Sequence, residues 1–210
     1  MSEKLNTTVN TPMFRVSYPN LFTAKLNNLN KKMEFSVEAI FAPETEMSEK
    51  DKKALADLKT AARNAIINNW GADEKLWPKN FRAIFRKHEE KEKNGALPDG
   101  LKPGGLWLRL KNDGTKSRPA IVDQNRQEII EEHKMYAGCY ARANVTASAY
   151  PRKGAQGAAG VQPGVSFYLN AVQLVKDGEP FSGRPSVEDA FEAIDVEGSP
   201  SDQSAQSMFE

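Results

Sequence analysis

Two stretches of this chain alternate ring-bearing and cationic side chains at a spacing of two. In 106–111, Trp107, Arg109 and Lys111 form one row, and Leu106, Leu108 and Leu110 form the other. In 138–150, Tyr140, Arg142, Asn144, Thr146, Ser148 and Tyr150 alternate with Cys139, Ala141, Ala143, Val145, Ala147 and Ala149. A strand sends successive side chains to opposite faces, so each stretch offers one packing face and one face of rings and cations. Rings stack on unpaired bases while cations follow phosphates, a combination that suits a single nucleic-acid strand. Flanking loops add Lys116, Arg118, Arg152 and Lys153. The expected DNA-contact set is therefore Trp107, Arg109, Lys111, Lys116, Arg118, Tyr140, Arg142, Tyr150, Arg152 and Lys153. Tyr18, Phe22 and Lys25 form a smaller second group. Phe167 and Tyr168 fall on opposite faces of one strand, so one of the two is expected in the core. Strand aromatics are often core. Joint exposure of Trp107, Arg109, Tyr140 and Arg142 favours nucleic-acid binding; their burial by the protein's own chain favours a module that binds only a protein partner.

Other chemistries lack their residues. His88 and His133 are the only histidines, and neither has metal-ligand spacing; there is no CxxC or HExxH, and Cys139 stands alone. Gly154, Gly157 and Gly160 do not make GxGxxG and run into Pro163 and a strand. Gly114-Thr115-Lys116-Ser117 lacks the spacing of a phosphate loop. No catalytic residue, metal or cofactor is expected.

The elements that must position these rows are mostly strands. Phe14, Val16 and Tyr18 alternate until Pro19 interrupts; Met33, Phe35, Val37, Ala39 and Phe41 form a clearer apolar row. Ser48 reads as a helix N-cap, with Glu49 and Asp51 in the first turn. Ala54, Leu55, Leu58, Ala61, Ala62, Ala65 and Ile66 keep helical spacing, and Gly71 reads as the C-cap. Phe81, Ile84, Phe85 and His88 suggest one side of a short helix. Strands follow at 106–111, 119–122, 138–150 and 165–175. The expected class is mainly β with one or two helices. A five-stranded Greek-key barrel of OB type fits, and other all-β or α+β arrangements fit the pattern nearly as well.

Charge divides the chain. Residues 186–210 carry Glu188, Asp189, Glu192, Asp195, Glu197, Asp202 and Glu210, with no Lys or Arg. Taking those seven from 28 acids leaves 21 against 29 bases, a net +8 over residues 1–185. The expected organisation is a flexible stretch 1–12, a folded domain 13–185 and a disordered acidic tail 186–210. No run approaches the roughly 18 apolar residues that span a bilayer, and no signal-like segment opens the chain, so no membrane role is expected.

The run Gly138-Cys139-Tyr140-Ala141-Arg142-Ala143-Asn144-Val145, then Tyr150-Pro151, then GVSFYLNAVQLVKDGE from Gly164 to Glu179, resembles a family of tailed-phage single-stranded DNA-binding proteins. The opening strands and 106–122 agree in order, so the resemblance covers about residues 13–185. The acidic end with Met208-Phe209-Glu210 is similar to the aromatic-ended tails of such proteins, although Glu210 stands where several end in phenylalanine. The resemblance implies an OB-fold that coats single strands during phage replication, recombination and repair in the cytoplasm of the infected host. It implies polymerase, helicase-primase or recombinase partners recognising the tail, here through Asp195, Glu197, Asp202, Met208, Phe209 and Glu210. Weaker double-strand binding is a further expectation. The competing readings are a phage structural or adaptor module that uses the tail alone, and a strand-annealing recombination protein.

Overall fold

The computed structural model describes residues 4–28, 30–152 and 160–181. Among them are eight strands and one α-helix: β1 (Thr8–Asn10), β2 (Phe14–Asn27), β3 (Lys32–Phe41), α1 (Glu49–Trp70), β4 (Arg86–Lys87), β5 (Leu106–Asp113), β6 (Ala120–Val122), β7 (Tyr140–Tyr150) and β8 (Gly164–Lys176). The strands join in the order β1-β7-β2-β3-β5-β8-β6, with β4 on β5, and β7 also pairs with β8. That last pairing closes β7-β2-β3-β5-β8 into a five-stranded ring. Four of its five seams are antiparallel, and β5–β8 is parallel. The protein is mainly β with an OB-like barrel.

Alternation fills the interior. Phe14, Val16, Val37, Ala39, Phe41, Leu108, Leu110, Phe167 and Leu169 are buried in one core with the small β7 row from Cys139 to Ala149. The helix adds Leu58, Ala61, Ala62, Ala65, Ile66 and Trp70 to that core. Its ends match the sequence expectation: Ser48 Oγ accepts the Asp51 N–H at 3.2 Å, and Gly71, at φ +98°, donates to the Ile67 carbonyl at 2.8 Å. α1 packs along β7 and β1. Asn64 and Asn68 tie it to the backbone of Asn6 and Leu5, so residues in the expected flexible stretch 1–12 form a paired strand and a strap on the helix.

Two local expectations are corrected. Pro19 does not end the first strand; β2 runs on to Asn27 through a bulge between Ser17 and Asn20. Phe81 to Lys87 are not helical, and only a short 3-10 turn begins at His88. Asn80 takes φ +66°, Arg82 N–H bonds the Pro163 carbonyl, and Arg86–Lys87 pairs with β5. The apolar residues of this segment still face inward, with Phe85 6.1 Å from Phe167.

Candidate nucleic-acid interface

The outer surface of β2, β3, β5 and β8 carries the candidate site. On β5, Arg109 and Lys111 point outward because Leu108 and Leu110 point into the barrel. Lys111 lies opposite Ser36 of β3 and beside Tyr168 of β8. Tyr168 is 46% exposed, and its neighbours Phe167 and Leu169 are buried. Phe167 is thus the core member of that pair. Tyr18 stands on the other flank, extruded by the β2 bulge with its ring 69% exposed. Its φ of +46° is a strained conformation for a bulky residue. Tyr18, Ser36, Arg109 with Lys111, and Tyr168 therefore lie across four adjacent strands, about 14 Å by strand spacing. Two exposed rings bracket two cations.

A buried carboxylate holds the middle of this track. Glu34, 5% exposed, takes Lys111 Nζ at 3.1 Å and Arg109 at 3.5 Å, together with Asn27 at 2.9 Å and Asn30 at 2.6 Å. Burial alone raises its pKa, but these hydrogen bonds and the Lys111 charge outweigh it and hold the carboxyl below its usual range. Arg109 also donates to Ser36 Oγ at 3.3 Å.

Trp107 corrects the sequence reading. It points to the outer face as expected but is only 7% exposed. Arg86 and Lys91 lie over its ring at 4.5 and 4.1 Å, and its Nε1 donates to the Lys87 carbonyl at 3.2 Å. Lys91 also pairs with Glu38 and sits 5.8 Å from the Tyr18 ring. His88 pins this cover: its Nδ1 accepts the Lys102 N–H at 3.0 Å and its Nε2 lies 3.0 Å from the Leu106 carbonyl. Burial holds the imidazole pKa down, against the carbonyl contacts. The ring occupies the space that a Cβ at Gly105 would need.

Tyr140 shares a lateral row with Trp107 through Arg15 and Ile40. It is half-buried, with Arg15 at 5.5 Å and Lys176 at 4.6 Å over its ring. Arg142 is also not a free cation: it pairs with Asp51 of α1 at 2.9 Å, largely buried. The four-residue set expected to be exposed together is therefore not. Among the loop residues, Lys116 and Arg152 are exposed. Arg118 is bound to Glu128 at 2.6 Å and lies over Phe22. Tyr150 packs against Gly164. Lys153 and the tail residues Asp195, Glu197, Asp202, Met208, Phe209 and Glu210 lie outside the described residues.

Tyr168 was one member of an unresolved pair in the sequence, and Tyr18 lay in the smaller group. Period two could have chosen Tyr168, since Val165, Phe167 and Leu169 form a stronger apolar row than Ser166, Tyr168 and Asn170.

Among the described residues, no helix is long and apolar enough to cross a membrane, and no group of three or more His, Cys, Asp or Glu could hold a metal ion.

The family model described as Enterobacter phage Enc34, ssDNA-binding protein, matches residues 7–201. No curated protein sequence matches the chain. The fold is similar to the single-stranded DNA-binding protein from bacteriophage Enc34 in complex with ssDNA, with TM-score 0.55 and 14% identity over 86% of this chain and 97% of that one. A second structure of that phage protein gives TM-score 0.55 and 15% identity over 91% and 97%. The bacteriophage T7 single-stranded DNA binding protein gp2.5 gives TM-score 0.50 and 12% identity over 93% and 98%.

Proposed function

The chain belongs to the family of the Enterobacter phage Enc34 ssDNA-binding protein, and on that footing we propose that it binds single-stranded DNA without strong sequence preference and performs no catalysis. The observation that carries this reading is the outer track of Tyr18, Arg109, Lys111 and Tyr168. Two exposed rings supply stacking platforms, and cations between them meet phosphates. In the cytoplasm of an infected bacterium such a protein coats intermediates of phage replication, recombination and repair. Its acidic tail competes with DNA for the basic body and recruits polymerase, helicase-primase or recombinase. Double-stranded DNA binds more weakly, since duplex offers phosphates without open base faces.

The adaptor reading has one observation in its favour: Trp107 is covered by the protein's own chain. Titration of labelled oligothymidylate, followed by fluorescence anisotropy, separates the two. Saturable binding that weakens with salt is expected; no binding at low salt overturns the proposal in favour of the adaptor. Large rings on single strands, seen by electron microscopy, would instead favour strand annealing.

A further inference from the structure

A cavity of about 520 Å³ lies away from the track, between the starts of β2 and α1, the end of β3 and residues 100–102. Its apolar lining is Met13, Phe14, Ile40, Pro43, Met47 and Leu101. The charged groups that share the lining are already engaged. Glu46 pairs with Lys102 at 2.6 Å, and Asp51 with Arg142 at 2.9 Å. Arg15 donates to the carbonyls of Gly138, at 3.1 Å, and Glu179. An apolar occupant therefore displaces water without stranding a charge.

The described chain ends on the rim of this cavity. Phe181 N–H donates to the Ala137 carbonyl at 3.0 Å, and Arg15 lies over the Phe181 ring at 4.2 Å. That ring fills the space a Cβ at Gly100 would need. Arg15 and Gly100 both line the cavity, so the chain beyond Phe181 sets out from its mouth. The sequence that follows has an apolar face. Ser186 and Asp189 keep the spacing of a helix-capping pair. Val187, Ala190, Phe191 and Ile194 recur as one helical face, with Glu188, Asp189 and Glu192 on the other and Gly198 beyond. A helical segment this short has little stability alone in water, so such a face needs a surface that buries it. The link 182–186 spans up to about 17 Å, which brings Val187 within reach.

We infer that residues 187–196 dock in this cavity of their own chain, with Val187, Phe191 and Ile194 inward in the manner of a helix in a groove. The docking goes beyond the reading of the chain as a single-strand binder and does not depend on it. It fixes the base of the acidic segment at one end of the barrel. Residues 197–210, which extend to about 46 Å, are left for DNA or a protein partner.

The test uses the full chain with isotope-labelled methionine methyls. Met13 and Met47 line the cavity, whereas Met33 stands at the opposite end of β3 from Ile40. In Phe191→Ser and Ile194→Ser, both substituted beyond the barrel strands, the Met13 and Met47 resonances are expected to move while Met33 holds. Amide exchange gives a second readout. In the native chain residues 187–196 should exchange about tenfold or more slowly than 199–210, and Phe191→Ser should abolish the difference. Methyl resonances unchanged in both variants, or equal exchange in the native chain, overturn the docking and leave the cavity to a partner protein. Unlabelled native chain is then mixed into labelled Phe191→Ser. Return of Met13 and Met47 to their native positions would mean that a second copy supplies the segment, and overturns docking within one chain; resonances that stay put support it. None of these readouts involves DNA, so failure of the single-strand reading leaves them standing.

Discussion

Tyr18 and Tyr168 differ from the other strand aromatics in having little of their own chain over them. Each ring that stacks on a base contributes about 1–3 kcal/mol. Tyr18→Ala and Tyr168→Ala are therefore expected to weaken oligothymidylate binding by that amount, with melting temperatures near that of the native protein. Anisotropy titrations and thermal melts measure both sides. Unchanged affinity, or loss of folding, in both variants would reject the rings as stacking platforms. Trp107 predicts the opposite division. Removing a buried indole costs about 3–5 kcal/mol of stability and frees Arg86 and Lys91 from their seat. Trp107→Ala should lower the urea midpoint far more than Tyr18→Ala does. Equal midpoints for the two variants would contradict the buried placement.

At the scale of elements, His88 fastens the connection from α1 to β5, and its buried ring is held neutral. The folded chain binds that proton less readily than the unfolded chain. Its contribution is complete above the ordinary value of 6.5 and is lost as pH falls through the lower folded value. Urea midpoints should therefore decline as pH drops from about 7 toward about 5. His88→Gln should start lower and vary less over that window; an unchanged slope would remove His88 as the cause. Glu34 and Asp51 add a second loss at lower pH, because hydrogen bonds and ion pairs outweigh burial and depress both carboxyls. Period two made the strands of Arg109, Lys111 and Tyr168 legible, but not the placement of Tyr18, which the bulge turns out of the buried Phe14 and Val16 row. The cover over Trp107 was not legible either. It comes from residues 86–91, which carry no such period, and from pairings such as Arg86 with Trp107 that only tertiary structure brings together. Arg142 was misread for the same reason: its partner Asp51 lies on α1, 91 residues away.

At the scale of the whole molecule, residues 1–185 carry a net +8 and residues 186–210 carry seven acids. Log affinity for single strands should fall linearly with log salt, by about 0.7 per phosphate neutralised, and Arg109→Ala should reduce the slope by about that amount. An affinity indifferent to salt would remove the electrostatic account. The proposed competition with DNA puts the tail at an effective concentration on the order of millimolar, and screening weakens its pull. Truncation after Arg184 should raise single-strand affinity modestly at low salt, and double-strand affinity proportionally more. Gel shifts on both forms at two salt concentrations test this; affinities that stay level or drop leave the tail to protein partners alone. The barrel itself is sealed by its final strand, since β8 pairs with β5, β6 and β7 together and brings Leu110 beside Phe167. Until residue 164 and those after it are in place, the preceding strands form an open sheet with bare edges. Closure waits on contacts between residues distant in the chain, which puts refolding in the millisecond-to-second range of β-barrels rather than the microseconds of helical bundles. A chain cut short within β8 has no smaller barrel to fall back on.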